Sequence, residues 1–524
     1  MNRAPFQRVE MNRPYRSVFN LDNIKIMDAD MGILYPVFCR KMVPGDHFKI
    51  RVECVVRANP MVAPIMHEVN IFFHYFFVPL RIMWPKPIVE GSSWPPDVGS
   101  WEEFFTGGKN GDLTPTKPKW IPTPVGRQPG SLWDYLGFPV DVDPVGAYPD
   151  SWPKRAYNFI YNEYYRDQNY MDEQDLDRGA LWRRCWQKDY FTTALPWQQR
   201  GQAPALPITG LTHAEFLGTV GINADALTGF RNLMFVPNLN PNRMELVGSG
   251  VNQDEANKFK AWINNNQVDL SNASTFDVSD LRLAFQTQKF LERNARAGGR
   301  YIEQLRAHYG VHPRDDRLQR PEYVGGMRTP VIVSEVLQTS GTDSNSPQGT
   351  LAGHGMSVDR QRIGSYRAQE FGIMMGIMSI MPKAVYQQGI DREWLGETRF
   401  DELLPEFVSL SEQPVFNSEL FVTDNEVENQ GVFGFQGRFD EYRVSRNYVV
   451  GKMRSGVPGS LAFWHLARHF ESRPGLNAEF LECNPRKDFL AVPSEPAFVV
   501  TIGNKVRAVR PLPVYGTPGL IDHH

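Results

Sequence analysis

The residues best suited to chemistry are scattered along this chain rather than gathered. His465 and His469 stand four apart, the spacing that puts two imidazoles on one side of a helix in zinc sites. Leu466 follows the first His where such enzymes carry their base, a Glu, so the pair reads as two histidines on a partly exposed helix. His308 and His312 share the spacing, but Gly310 breaks any helix between them. Asp28-x-Asp30-x-Gly32 starts like a calcium loop, yet Cys39 occupies the twelfth position, where a bidentate Glu would be needed. Gly353-His354-Gly355 lacks both the third glycine and the Lys-Ser/Thr of a phosphate loop, and Gly248-Ser249-Gly250 lies in a polar stretch unsuited to a nucleophile elbow. Glu102-Glu103 and Asp315-Asp316 are surface runs unless a cleft holds them. Paired carboxylates leave no spacing signature. A soluble β-rich carbohydrate hydrolase, which the many Trp and Tyr would suit, is therefore the enzymatic alternative. No catalytic residue, cofactor or metal ligand is assigned.

Two stretches have the composition to hold nucleic acid. Residues 1–16 carry Arg3, Arg8, Arg13 and Arg16 against a single acid, Glu10, with Phe6 and Tyr15 available for stacking on bases. Lacking any apolar period, the segment 1–20 reads as a flexible basic N-terminal arm, with Arg3, Phe6, Arg8, Arg13 and Arg16 as its DNA-binding candidates. Further on, Trp182, Trp186, Tyr190, Phe191 and Trp197 interleave with Arg183, Arg184, Lys188 and Arg200. Such a mixture can stack bases and hold phosphates. It can also supply Trp and Arg anchors to a neighbouring subunit, which interface composition favours.

The elements that would position these groups are mostly strands. Ile33 to Met42 is one, closed by the turn Pro44-Gly45-Asp46. In the next, Phe48, Ile50, Val52, Cys54 and Val56 alternate with Lys49, Arg51, Glu53 and Arg57, giving one core face and one wet face. Val69 to Leu80 has aromatics on both faces and belongs inside a sandwich or barrel. Asp150-Ser151-Trp152-Pro153 opens a helix with a capping side chain and an early proline. The stretch Ser279 to Pro382 organises the rest: a helix capped by Ser279, a break at Gly298-Gly299, a second helix ended by Gly310, a loop carrying Gly325-Gly326 and Gly353-His-Gly355, and two apolar strands, Val331 to Leu337 and Phe371 to Met381. The second, almost without polar relief, must be buried on both faces. Val432 to Phe439 and Phe489 to Ile502 are further strand candidates.

At 524 residues the chain is two domains or one domain with large insertions. Strands at both ends, with long loops and helices between, favour one interrupted β domain, and 40 Pro and 43 Gly suit a loop-rich β protein. The net charge of −3 leaves no global basic field, so any contact with DNA must be local. Cys39, Cys54, Cys185 and Cys483 form no Cys-x-x-Cys pair and read as buried thiols. No segment reaches the length of a membrane span, so no membrane insertion is expected. Residues 201–275, with repeated Gly and the Asn-rich runs at 238–242 and 264–266, read as a solvent-facing insertion. The segments 85–146 and 510–524 show no sustained period, and a tail such as 510–524 is ordered only if something holds it.

Blocks in chain order carry a family resemblance: Val43-Pro-Gly-Asp46; Ala63-Pro-Ile-Met-His67 leading to Tyr75-Phe-Phe-Val-Pro79; Arg155-Ala-Tyr-Asn158 with Asn162-Glu163 and Arg166-Asp-Gln-Asn169; Lys188-Asp-Tyr-Phe-Thr192 with Leu195-Pro-Trp197; Pro321-Glu-Tyr-Val-Gly-Gly326; Gly349-Thr-Leu-Ala-Gly353; and Pro513-Val-Tyr-Gly-Thr-Pro-Gly519. They resemble the major capsid protein of the microviruses, small tailless phages with circular single-stranded DNA, most closely the gokushovirus branch. The resemblance implies a mainly β fold: an eight-stranded antiparallel viral jelly roll with long loop and helix insertions. It makes 21–524 a single capsid domain with loops and a helix at 85–200 and a threefold surface protrusion at 201–275. Pro321 would mark the chain's re-entry into the roll, Gly325 and Gly326 permitting a sharp backbone path. The implied role is not enzymatic. It is self-assembly through pentamers into a T = 1 icosahedral shell enclosing the genome. Implied partners are further copies of the chain, the single-stranded DNA on the interior, other virion proteins such as a DNA pilot protein and a small DNA-binding protein, and a host surface receptor met by the protrusion. The protein would be made in the bacterial cytoplasm and reside in the virion.

Overall fold

A computed structural model describes residues 15–84, 101–106, 117–202, 234–237, 244–247, 278–297, 300–310, 312, 314–337, 351–410 and 412–515. Arg3, Phe6, Arg8, Arg13, the Gly248-Ser249-Gly250 turn, both Asn-rich runs and Gly298-Gly299 lie outside the described residues. The chain divides into two units, Met1–Arg200 with Glu292–His524, and Gly201–Leu291.

In chain order the strands are β1 (Ser17–Asn20), β2 (Asn23–Ala29), β3 (Tyr35–Met42), β4 (His47–Ala58), β5 (Val69–Pro79), β6 (Met234–Pro237), β7 (Met244–Val247), β8 (Glu322–Pro330), β9 (Ile332–Leu337), β10 (Leu351–Arg367), β11 (Gly372–Pro382), β12 (Gln413–Phe416), β13 (Val432–Gln436) and β14 (Phe498–Arg510). In the second unit β6 pairs with β7. In the first, all ladders are antiparallel. A six-stranded sheet runs β1–β14–β4–β10–β9, with β2 also on β14, and a four-stranded sheet runs β3–β11–β5–β8. β12 and β13 pair by themselves.

Alternation decides which side chains meet. Phe48, Ile50, Val52, Cys54 and Val56 of β4 are buried while Lys49, Arg51, Val55 and Arg57 are exposed. The buried rows of the two sheets form one core: Val500, Ile502 and Val506 of β14 and Ile50 and Val52 of β4 cluster with Ile71 and Phe73 of β5 and Met374 and Met378 of β11. Through it passes a satisfied polar link: Tyr75 donates to Asn504 Oδ1 (2.6 Å), whose amide donates to Asn23 Oδ1 (2.9 Å) and the Val37 carbonyl (3.2 Å). β11 is buried along its whole length, as its run of Ile and Met requires. Its other face, Ile373, Met375 and Ile377, meets a second core with Trp120, Trp133, Trp152, Tyr157 and Trp182. A third core joins Trp186, Tyr190, Phe191, Tyr386 and Phe480. The β3–β4 turn is the expected one: Gly45 has φ +92°, and Asp46 accepts from Val43 N–H at 3.0 Å.

Several sequence expectations need correction. Pro321-Glu-Tyr-Val-Gly-Gly is no loop: Gly325 and Gly326 lie inside β8, and Gly353-His-Gly355 inside β10. A Cβ on Gly325 would stand 2.3 Å from the Ile363 carbonyl oxygen, and one on Gly326 2.6 Å from that of Phe73, so close backbone approach rather than a sharp path requires them. Phe489 to Ile502 is not one strand; Pro493 and Pro496 cannot donate to a ladder, and β14 starts at Phe498 and runs to Arg510. β13 stops at Gln436, and Phe439 is left-handed at φ +62°. The last four residues of the basic segment 1–20 form β1, paired with Arg507 to Arg510. Pro153 does open the helix Trp152–Ile160, but the Ser151 side chain makes no cap bond, and Asp150 instead binds Lys41 and Lys119 at 2.7 and 3.0 Å. The helix Val278–Ala297 begins one residue before Ser279. Gly310 ends the next helix, Tyr301–Tyr309, at φ +67° as expected.

Candidate assembly surface

The interleaved aromatic and basic residues turn inward on their own chain. Trp182 lies parallel to Tyr161 (centroids 4.3 Å apart, 8°), donates to Asn158 Oδ1 at 2.7 Å, and is covered by the Arg178 guanidinium at 4.1 Å. Arg184 sits over the Phe72 ring at 4.5 Å and donates to Ser379 Oγ at 2.8 Å. Tyr190 donates to Glu419 at 2.9 Å, and the buried Phe191 ring lies under Arg446 at 4.9 Å. Trp186 is buried beneath Arg468, and Trp197, half-buried, is covered by Arg200 at 5.4 Å. Trp182, Trp186, Tyr190 and Phe191 are thus spent on their own chain's packing. The same holds for the described part of 85–146, where Trp120, Leu132 and Trp133 are buried in the second core. The order of that described part comes from its own chain.

The residues singled out for chemistry are structural ties. The segment His465 to His469 is not helical; His465 is buried against the Met453 carbonyl at 2.6 Å, and His469 is exposed. His308 contacts Asn294 Oδ1 at 2.5 Å. Asp28 accepts from the Tyr135 hydroxyl at 2.9 Å, and Asp30 pairs with Lys487 at 2.6 Å while accepting from Ala497 N–H at 3.0 Å, which joins the end of β2 to the start of β14. Burial pushes the thiols of Cys39 and Cys483 up to about 12 and that of Cys185 to about 11, out of the reactive range. Among the described residues no group of three His, Cys, Asp or Glu side chains could hold a metal ion, and no helix is long and apolar enough to cross a membrane.

Carboxyls suited to acid catalysis would be those that burial raises. Glu419 is one, but it takes Tyr190, Arg392 (3.1 Å) and the Phe416 N–H (2.8 Å). Glu412 is paired with Arg296 and Glu322 accepts from Tyr366 at 2.8 Å. A cleft of about 780 Å³ is rich in acids, yet its Asp401 is held below the usual range by the Thr398 N–H and hydroxyl. Glu419, Glu412, Glu322 and Asp401 are each already engaged by partners in their own chain.

What the surface does offer is unsatisfied apolar area. Trp394, Val427, Tyr448 and Val450 are more than half exposed in the loops between β11 and β14, as are Val18, Ile24 and Ile26 on the strands at the sheet edge. Apolar side chains of this kind become contact surface where they adjoin one another. Comparison with known proteins agrees. The family model described as "Capsid protein (F protein)" matches residues 7–520.

The chain belongs to this phage capsid protein family.

It is 30% identical over 590 residues to the capsid protein VP1 of Chlamydia phage 1, covering 96% of each chain. It is equally identical, over 548 residues, to VP1 of Bdellovibrio phage phiMH2K (99% of this chain, 98% of that one) and, over 570 residues, to VP1 of Spiroplasma virus 4 (98% and 97%). This microvirus major capsid protein is a structural component of the virion and not an enzyme, so the carbohydrate-hydrolase alternative falls.

Proposed function

We propose that this capsid protein builds a closed icosahedral shell around a circular single-stranded DNA genome, with an eight-stranded jelly roll as the wall of each subunit. One observation carries the reading. Eight strands pair first with last and inward from there: β2 with β14, β3 with β11, β4 with β10, and β5 with β8. Successive pairs alternate between the two sheets, as in a long hairpin rolled into two Greek keys. β1 and β9 extend the six-stranded sheet beyond that set. The family resemblance supplies the finer statement: assembly through pentamers into a T = 1 shell, a threefold protrusion from 201–275 that meets a host receptor, and a DNA pilot protein and small DNA-binding protein as virion partners. Packing of Gly201–Leu291 as a unit of its own supports the protrusion. The basic arm would reach the genome; of its candidates Arg16 is described, exposed beside Gly45, and the others precede it in the chain. Electron-microscopic reconstruction of purified particles tests the whole reading. The expected result is a T = 1 shell of pentamers with wall density fitted by the two-sheet unit, and a soluble monomer under all assembly conditions would refute it.

A further inference from the structure

The two sheets end differently on their outer sides. The outer face of the four-stranded sheet is covered by the chain's own Trp-rich layer. The outer face of the six-stranded sheet carries an excess of cations, with Glu53 and Asp28 as its exposed or half-exposed acids on β4 and β2. The strand register shows how this arises from residues hundreds of positions apart. Arg51 on β4 lies opposite Lys505 on β14 and opposite Arg362 on β10. One step along, Lys49 lies opposite Arg507, and beyond it His47 lies opposite Arg367. In the other direction Glu53 faces Arg360 and pairs with it at 2.9 Å, and Arg57 follows four residues later on the same face. Lys505 is within 3.6 Å of Asp22, and Asp28 accepts from Tyr135. Lys49, Arg51, Arg57, Arg362, Arg367 and Arg507 are all exposed, and no carboxylate pairs with them among the described residues.

Like charges directly opposite one another on neighbouring strands repel. Here three cations stand side by side across three strands, on a protein whose net charge is −3. The average composition therefore does not explain them. A counter-charge brought to this face from beyond the described residues would. It must be extended, because the cations run in rows over three strands, and it must be recognised by charge, because this face shows no exposed aromatic ring on β4 or β14 for a base to stack on. The arm leaves from the same end: β1 starts opposite Arg510, and Arg16 stands beside Gly45 in the turn preceding His47.

We propose that the outer face of the six-stranded sheet, centred on Arg51, Lys49, Arg362 and Arg507, holds the phosphate backbone of the single-stranded genome, so that this face is the one turned to the shell interior. The proposal rests on the capsid reading and adds to it the surface that meets the DNA, which is the sheet and not the arm alone. Binding is through phosphates, indifferent to sequence and strongly salt-dependent.

The test uses the full-length protein, a fluorescent oligothymidylate, and titrations across a range of salt. The triple variant Lys49→Gln, Arg51→Gln, Arg362→Gln is compared with the parent and with the arm variant Arg3→Gln, Arg8→Gln, Arg13→Gln, each checked for an unchanged thermal unfolding midpoint. The sheet variant should bind at least about tenfold more weakly at low salt and lose roughly two units from the slope of log affinity against log salt, about 0.7 per phosphate contact. The charge-retaining variant Arg51→Lys, Arg362→Lys should bind like the parent, which separates charge from folding. Unchanged affinity and slope in the sheet variant overturn the proposal. So does a sheet variant that binds DNA normally but no longer forms particles, because the face then meets another copy of the chain. If the parent itself binds DNA through these residues but never forms particles, the shell reading fails and the assignment of the basic face stands.

Discussion

His74 provides a quantitative test of how the four-stranded sheet is covered. It lies on β5 between Phe73 and Tyr75 in sequence but on the opposite face, ringed by Phe72, Phe76, Tyr165 and Tyr323 at centroid distances of 5.9 to 6.3 Å. Its Nδ1 is 2.8 Å from the Tyr165 hydroxyl. Burial, and secondarily the Arg184 cation, lower its pKa from 6.5 to about 4. The folded state therefore holds the neutral ring, and below pH 6.5 the unfolded chain binds a proton that the folded chain refuses. The stability present above pH 6.5 is lost as pH falls toward 4, at about 1.4 kcal/mol per pH unit and about 3 kcal/mol in all. His74→Gln keeps a partner for Tyr165 without a titrating group. Urea unfolding followed by Trp fluorescence at pH 7 and pH 4.5 should show the parent losing about 2 to 3 kcal/mol more than the variant. His67 and His465, whose pKa values burial also lowers, add acid sensitivity to both proteins alike and cancel in the comparison. Parallel stability curves for parent and variant would refute the reasoning, since they would mean that the His74 ring is protonated inside the fold.

Other perturbations follow from the same contacts. Trp182→Ala removes a buried ring stacked on Tyr161 and should cost about 3 to 5 kcal/mol in a thermal unfolding measurement; a fold left intact with weakened DNA binding would instead revive the base-stacking role. Arg392→Leu strands the Glu419 carboxylate, 1% exposed, and should destabilise by about 3 to 5 kcal/mol at neutral pH, most of it restored by adding Glu419→Gln. Gly325→Ala forces a methyl against the Ile363 carbonyl of β10, with an expected loss of about 1 to 3 kcal/mol in denaturant titration, whereas a flexible loop at Pro321 to Gly326 would tolerate it.

Some of this architecture was readable residue by residue. β4 announces itself because one face is wet and the other dry, and β11 because neither face is wet. Where one residue type serves two physical ends, the sequence is ambiguous. Glycine marks both turns and close strand approach, and the pairing of β8 with β5 and its contact with β10 decide for the second at Gly325 and Gly326. Arginine over an aromatic ring can be a base-stacking platform or a core device. Trp182 shows the second, through an Asn158 acceptor that only the folded helix brings near. The apolar run at Phe489 to Ile502 hides two prolines that forbid a ladder. As for the basic face, alternation marks Lys49 and Arg51 as solvent-facing, but their neighbours Arg362 and Arg507 come from strands more than three hundred residues away, and only register puts the four together.

The treatment of cations elsewhere in the molecule sharpens that point. Beneath the Trp layer, where Lys154 and Arg155 are almost wholly buried, the chain supplies a counter-charge: both reach Asp177, whose pKa is lowered by them against the opposing effect of burial. Lys41 and Lys119 share Asp150. Arg392 and Arg446, little exposed, pair with Glu419 and Asp391. A buried unpaired charge is costly, and these pairings meet that requirement. On the face of the six-stranded sheet the requirement is absent, because water solvates each cation, and yet mutual repulsion there would favour interspersed acids. Aside from Glu53 with Arg360, and Asp22 near Lys505, those cations lack carboxylate partners among the described residues. A surface that forgoes its own counter-charges is suited to receive them from an extended polyanion, and the salt dependence of DNA binding measures how many it receives.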